Sequence, residues 1–211
     1  MNEWRPNEMS TIIQLLTKTY EDWLTPYQVG RQDLQAVLTE MKTLGTPQVI
    51  KSNIPPVVKQ YLAQAAELVP SQLATLSKMF LQMAPNLDWV TPSPEYGGAQ
   101  FANCYAFARL IGPALSDSRP TLYASQKICV GMTLQAPYTY YFPHKHKTVE
   151  FYGVLGGTAL WQMGNEGWNA KPPGTLIYHR SNVFHAMQTQ AEPLLTTYAW
   201  VGDIFSPIET A

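Results

Sequence analysis

The chain has 211 residues, a hydrophobic share of 45% and a net charge of −1. That length suits one sizeable domain, or a small one with an extension. The charge balance, with no dominant basic stretch, argues against a nucleic-acid partner or a polybasic membrane contact. Cys104 and Cys129 are too few for a disulfide framework and read as buried thiols. The N-terminus lacks a basic-then-apolar leader, and no apolar run reaches the roughly 18 residues of a membrane span. A cytoplasmic protein is expected.

The first third reads as helices. Ser10 is placed to cap a helix whose apolar positions Ile12, Ile13, Leu15, Leu16, Tyr20, Trp23 and Leu24 form a broad stripe, with Pro26 just beyond its end. A second helix is expected from about Gln32 to Leu44, carried by Leu34, Val37, Leu38 and Met41 and stopped by Gly45. Pro55 and Pro56 occupy the first turn of a third, lined by Val57, Val58, Tyr61, Leu62 and Ala65. A fourth follows Pro70 and Ser71 through Leu73, Leu76, Met79, Phe80 and Met83. These stripes are packing surfaces.

Pro85, Pro92, Pro94, Gly97 and Gly98 then punctuate the chain, so residues 1–98 read as a helical N-terminal extension and linker. From residue 99 to 211, short strand-like runs alternate with turn signals. They are Gln100–Leu110, Lys127–Gln135, Thr139–Phe142, Val149–Leu155, Ala159–Met163, Thr175–Tyr178, Val183–Gln188 and Leu194–Val201, with a hairpin turn at 164–167. Such a series without intervening helices implies an antiparallel barrel or sandwich.

All four histidines fall in this part. His144 and His146 open a run that continues to Glu150 and Tyr152, and His185 follows 35 residues after Glu150. Residues of one strand that differ by an even number point to one side of the sheet. An extended segment would therefore aim His144, His146, Glu150 and Tyr152 at one cavity. Imidazole and carboxylate together suit a divalent ion such as Zn, Fe(II), Mn, Ni or Co, and a site with few protein ligands keeps open positions. His179 lies six residues before His185, but the turn at Arg180-Ser181-Asn182 interrupts the strand, so it reads as structural.

These residues resemble the cupins, small jelly-roll barrels with a first motif G-x5-H-x-H-x(3,4)-E-x6-G. His144, His146, Glu150 and Gly157 match it in spacing, with Tyr138 at the leading glycine. The second motif, G-x5-P-x-G-x2-H-x3-N, is met by Gly174 and His185, with Arg180, Asn182 and Thr189 at the Pro, Gly and Asn places. Asn182 can adopt the left-handed turn that a glycine would supply. The implied fold is mainly β: a cupin jelly-roll barrel with an α-helical extension.

A narrower resemblance is to the dimethylsulfoniopropionate (DMSP) lyases of the cupin class, the DddQ, DddL, DddW and DddK types. It is carried by H-x-H-x3-E-x-Tyr, Tyr141, Gly156-Gly157, His185-Ala186-Met187 and the strand from Pro193 to Trp200. Lys145, Lys147 and Thr148 depart from the family's usual neighbours and are expected to face away from the cavity. The resemblance implies that His146, Glu150 and His185, with His144 at the same site, hold one divalent metal. It implies that Tyr152 is the catalytic base and that Tyr141 and Trp200 line the substrate pocket, with Tyr138, Tyr140 and Trp161 as weaker aromatic candidates. The implied reaction is β-elimination of DMSP to dimethyl sulfide and acrylate. The alternatives are another metal-dependent cupin enzyme, a dioxygenase or isomerase acting on a small carboxylate, or a ligand-binding cupin without catalysis. The expected partner is a small-molecule substrate, with neither nucleic acid nor membrane. The helical extension leaves room for a homodimer packed across a two-fold axis.

Overall fold

Four helices come first, and what they bury decides where they sit. The computed structural model describes residues 6–26, 28–113 and 121–211. Helix α1 (Pro6–Leu24) begins ahead of Ser10, which lies inside the helix rather than at its cap. It buries Ile12, Ile13, Leu16, Tyr20 and Leu24. Helix α2 (Arg31–Met41) stops before Gly45 and buries the four expected side chains. Helix α3 (Pro56–Glu67) starts at the second proline of its pair. A short 3-10 turn at Ser71–Leu73 leads into α4 (Ala74–Met83).

The strands that follow are β1 (Trp89–Val90), β2 (Tyr105–Gly112), β3 (Tyr123–Ala124), β4 (Ile128–Gln135), β5 (Tyr140–Lys145) and β6 (Val149–Gly156). After them come β7 (Ala159–Met163), β8 (Asn169–Lys171), β9 (Leu176–His179), β10 (His185–Thr189), β11 (Leu194–Val201) and β12 (Glu209–Thr210). The expected strand at 100–110 is half helix: α5 (Gly98–Cys104) occupies its start, and β2 takes over at Tyr105. Among the described residues, one sheet runs β1-β2-β4-β11-β6-β9 with β3 beside β2, and a smaller one runs β12-β5-β10-β7-β8. All pairings are antiparallel except β2 with β3. This is the expected mainly β jelly roll of the cupin type, built as two facing sheets.

The large sheet is covered on both sides, which explains why β4 is buried along its whole length. Its outer face sends Ile128, Val130, Met132 and Leu134 of β4 and Phe151 of β6 into one hydrophobic cluster with the buried faces of α1 to α4. Each such apolar side chain contributes about 1.5–3 kcal/mol on burial. Polar ties also cross this layer, among them Tyr20 Oη to Thr197 Oγ1 at 3.0 Å and Tyr178 Oη to Asp33 Oδ2 at 2.9 Å. The inner face carries a second cluster that includes Tyr105, Tyr141, Tyr152, Trp161 and Tyr198. Both cysteines are free; Cys129 is buried, but Cys104 is only half-buried. No helix among the described residues is long and apolar enough to cross a membrane.

Candidate metal centre and its cavity

Two backbone features prepare the site. Tyr138 and Asn182, at the glycine places of the two motifs, both stand in the left-handed region with φ of 57° and 59°. The turns that glycine usually makes are thus kept by other residues. Asn182 N–H donates to the His146 carbonyl at 2.8 Å and so ties the second motif to the first.

The parity argument for residues 144–152 reaches the right cavity by a different route. Strand β5 belongs to the small sheet and β6 to the large one, and the chain turns the corner between them at residues 146–148. His144 and His146 therefore face inward from one side, and Glu150 and Tyr152 from the other. Within β5 the pairing with β10 slips, so that Tyr141 and His144, three residues apart, sit opposite Met187 and His185. That bulge turns both inward, and the Tyr141 ring stacks on His144 with centroids 4.1 Å apart.

The structure brings together one ligand atom each from His144, His146 and His185, all within 4.8 Å of one another. A second trio, Glu150, His179 and His185, overlaps it at the same spacing. Glu150 Oε2 lies 3.3 Å from both His146 Nε2 and His185 Nε2. The three motif imidazoles are anchored alike: Nδ1 of His144, His146 and His185 meets the carbonyls of Phe142, Thr148 and Val183 at 2.9, 2.9 and 3.0 Å. A neutral imidazole that donates from Nδ1 presents an unprotonated Nε2. Nε2 of His146 and of His185 is buried without a hydrogen-bond partner. Two orphaned imidazole lone pairs beside a buried carboxylate fit a divalent cation.

His179 is the residue that sequence reasoning set aside. It is 1% exposed, and the β6–β9 register puts it directly across from Glu150. The Trp161 indole donates to His179 Nε2 at 3.1 Å, and an indole can only donate. The remaining His179 proton is therefore on Nδ1, which lies 3.0 Å from Glu150 Oε2 and donates to it. Both nitrogens are thus engaged, and His179 holds the carboxylate rather than offering a lone pair. Trp200 Nε1–H grips the other oxygen, Glu150 Oε1, at 2.6 Å.

Electrostatics follow from burial. Desolvation opposes charge on Glu150, but the surrounding imidazoles of His146, His179 and His185 outweigh it and hold the carboxyl well below the usual range. Burial, and then the neighbouring His185, pushes His179 down to about 4 and His144 well below 6.5. His146 is also opposed by burial, yet the Glu150 carboxylate 3.3 Å away leaves it raised. Tyr152 is raised well above 10 by burial and by the Glu150 charge.

A cavity of about 390 Å³ opens over this group, lined by His144, Glu150, Tyr152, Tyr141 and Trp200 among others. Tyr96, Tyr105 and Tyr198 also line it and were not anticipated. Tyr96 Oη bonds Tyr141 Oη at 3.0 Å. A second depression of about 600 Å³ reaches His179 and His185 from the side of β7 and β9. Three weaker aromatic candidates lie elsewhere. Tyr138 and Tyr140 are 75% and 48% exposed, outside the cavity, and Trp161 is buried behind His179. Lys147 is exposed and Lys145 pairs with Glu209, but Thr148 is fully buried, its hydroxyl donating to the Val201 carbonyl.

Fold and site together define a cupin-type jelly roll with a buried histidine and carboxylate cluster at the floor of an aromatic cavity. A family profile for DMSP lyases matches residues 30–196. The protein DddL of Cereibacter sphaeroides, a proposed DMSP lyase, is 31% identical over 134 residues. The alignment covers 60% of this chain and 51% of DddL, so the chain spans about half the length of that relative. A chain from the crystal structures of the DMSP lyases RdDddP and RnDddQII superposes with a TM-score of 0.71 at 21% identity, over 96% of this chain and 99% of that one. The DMSP lyase DddQ from Ruegeria pomeroyi gives 0.71 at 22% identity, over 92% and 96%. At such identities the two structures speak for the fold. The chain belongs to the DMSP lyase family.

Proposed function

We propose that this protein is a metal-dependent lyase that cleaves DMSP to dimethyl sulfide and acrylate. The observation that carries the reading is the meeting of two partnerless buried imidazole nitrogens with Glu150 at the edge of a cavity that also contains Tyr152. His144, His146, Glu150 and His185 would hold the metal. A divalent cation held there would supply a Lewis acid for the substrate carboxylate and would offset the Glu150 charge that, after burial, keeps the Tyr152 phenol protonated.

The polypeptide's own share is orientation and proton transfer. Tyr152 Oη, once its own proton has passed to solvent, acts as the phenolate and takes the proton α to the carboxylate. The C–H electron pair becomes the new C=C bond. The C–S bond breaks with its pair going to sulfur, which leaves as neutral dimethyl sulfide. Tyr105 lines the cavity beside Tyr152 and packs the wall around the phenol. The faces of Tyr141 and Trp200 line a surface that tolerates the sulfonium, worth about 0.5–2 kcal/mol per ring. Removing water from this aromatic cavity strengthens each of these contacts. In this reading residues 99–211 do the chemistry, and helices α1 to α4 brace the outer face of the large sheet while Pro92, Ser93 and Tyr96 add to the cavity lining.

The test is headspace dimethyl sulfide from purified, metal-analysed protein supplied with DMSP, beside Tyr152→Phe. Release by the unaltered protein and its loss in a variant with unchanged metal content support the assignment. No release from fully metallated protein would remove the lyase reading.

A further inference from the structure

The cavity contains a cation that the proposed chemistry leaves unused. Arg109 is on the inner face of β2 and lines the same space as Glu150 and Tyr152. The register gives its position: Arg109 pairs with Gly131, Gly131 with Tyr198, and Tyr198 with Tyr152. At roughly 4.8 Å between strands, the Arg109 backbone is about 14 Å across the sheet from that of Tyr152.

The middle of this row is left open by a glycine. A Cβ on Gly131 would meet Tyr198 Cε1 and Oη at 2.8 Å and the Ala108 carbonyl at 2.2 Å. Its absence lets Tyr198 lean over β4, where the hydroxyl lies 3.7 Å from Cys129 Sγ on the Arg109 side of the cavity. Arg109 Nη1 donates to the Pro113 carbonyl at 3.1 Å, while Nε is buried with no acceptor. Among the described residues no carboxylate pairs with this guanidinium, whose charge neighbours are the Tyr198 phenol and the Cys129 thiol.

A guanidinium stays charged at every working pH and presents its donors as a planar fork that matches a carboxylate. A buried donor without an acceptor costs free energy that an incoming anion recovers. We propose that Arg109, with the Tyr198 hydroxyl beside it, is an anion subsite that takes the carboxylate of a small organic acid. The naming of that acid rests on the lyase reading, in which substrate and acrylate both carry the group: Arg109 would hold it on entry and exit, and the metal would hold it during the elimination. The same charge repels a sulfonium and so leaves that end of the zwitterion to the aromatic faces.

Acrylate and its neutral isostere acrylamide are the probes, titrated calorimetrically into metal-loaded protein. Arg109→Met should weaken acrylate about tenfold or more and leave acrylamide unchanged, with Arg109→Lys between Met and the unaltered protein. Acrylate affinity equal in Arg109→Met and the unaltered protein overturns the proposal. A measurement on the unaltered protein guards against misfolding of the variants. The Arg109 Nε–H resonance, assigned by its loss in Arg109→Lys, should shift on acrylate addition and not with acrylamide, and a resonance that stays fixed at saturating acrylate also overturns it. Dimethyl sulfide release in the same preparation tests the lyase reading separately. Acrylate binding that needs Arg109 without any release keeps the subsite and removes the lyase. Release with acrylate binding indifferent to Arg109 does the reverse.

Discussion

Replacing His179 separates a residue that holds a ligand from one that is a ligand. In His179→Leu two buried hydrogen bonds vanish, the one from Trp161 at 3.1 Å and the one to Glu150 at 3.0 Å. The indole N–H, on a residue only 1% exposed, is left unpaired, and Glu150 Oε2 loses its tightest donor. Each orphaned group costs about 1–3 kcal/mol, so the variant should lose about 2–6 kcal/mol of stability. Loss of the group that orients a metal-binding carboxylate should weaken metal affinity about 10–100-fold. His179→Asn is the control, because its amide N–H2 can take the place of Nδ1–H toward Glu150 while offering no imidazole lone pair. If His179 only positions Glu150, the Asn variant should bind metal within a few-fold of the unaltered protein, and the Leu variant should not. Chelator competition with purified protein reads both. An Asn variant as weak as the Leu variant would make His179 a ligand after all, and two variants as tight as the unaltered protein would mean that Glu150 needs no help.

Three further outcomes are expected. Tyr152→Phe should lower dimethyl sulfide release by about 10²–10⁴-fold at unchanged metal content, the usual contribution of a positioned general base. Stability should fall on acidification between pH 6.5 and about 4, because unfolded His179 takes up a proton there and folded His179 does not. At 1.36 kcal/mol per unit that window is worth about 3 kcal/mol, with His144 adding in the same direction. Urea unfolding with a flat midpoint from pH 7 to 4.5 would contradict this, since the Glu150 carboxyl adds its loss only at lower pH. Gly156→Ala should lower the melting temperature, because the new Cβ would come 2.2 Å from the Ala65 carbonyl and force α3 off the sheet, an overpacking cost of about 1–3 kcal/mol.

The sequence was most readable where one local rule acts alone. The helical stripes, the prolines before α3 and the turn at 164–167 depend on a few adjacent residues, and each lies where the pattern put it, to within a few positions. The segment 98–104 misled because its aromatic and small residues suit a strand, whereas α5 is set by tertiary packing of Phe101 against Tyr105 and Tyr141. Short strands such as β1, β8 and β12 carry too few residues for any alternation to show.

The site divides along the same line. His144, His146 and Glu150 share one short run, so spacing alone could group them. His179 joins them only through the pairing of β9 with β6, a relation between residues 29 apart that no spacing within one strand encodes. The one available signal, its even separation from His185, was discounted because of the intervening turn. That turn is what allows the two rings to stack at 3.8 Å from different sheets. Arg109, Tyr105 and Tyr198 were hidden for the same reason, since the cross-sheet row from β2 through Gly131 to β6 exists only once the register is known. Local spacing thus exposes the residues that grip from one chain segment. The residues that hold those grips in place, and the cation facing them across the cavity, follow from strand order.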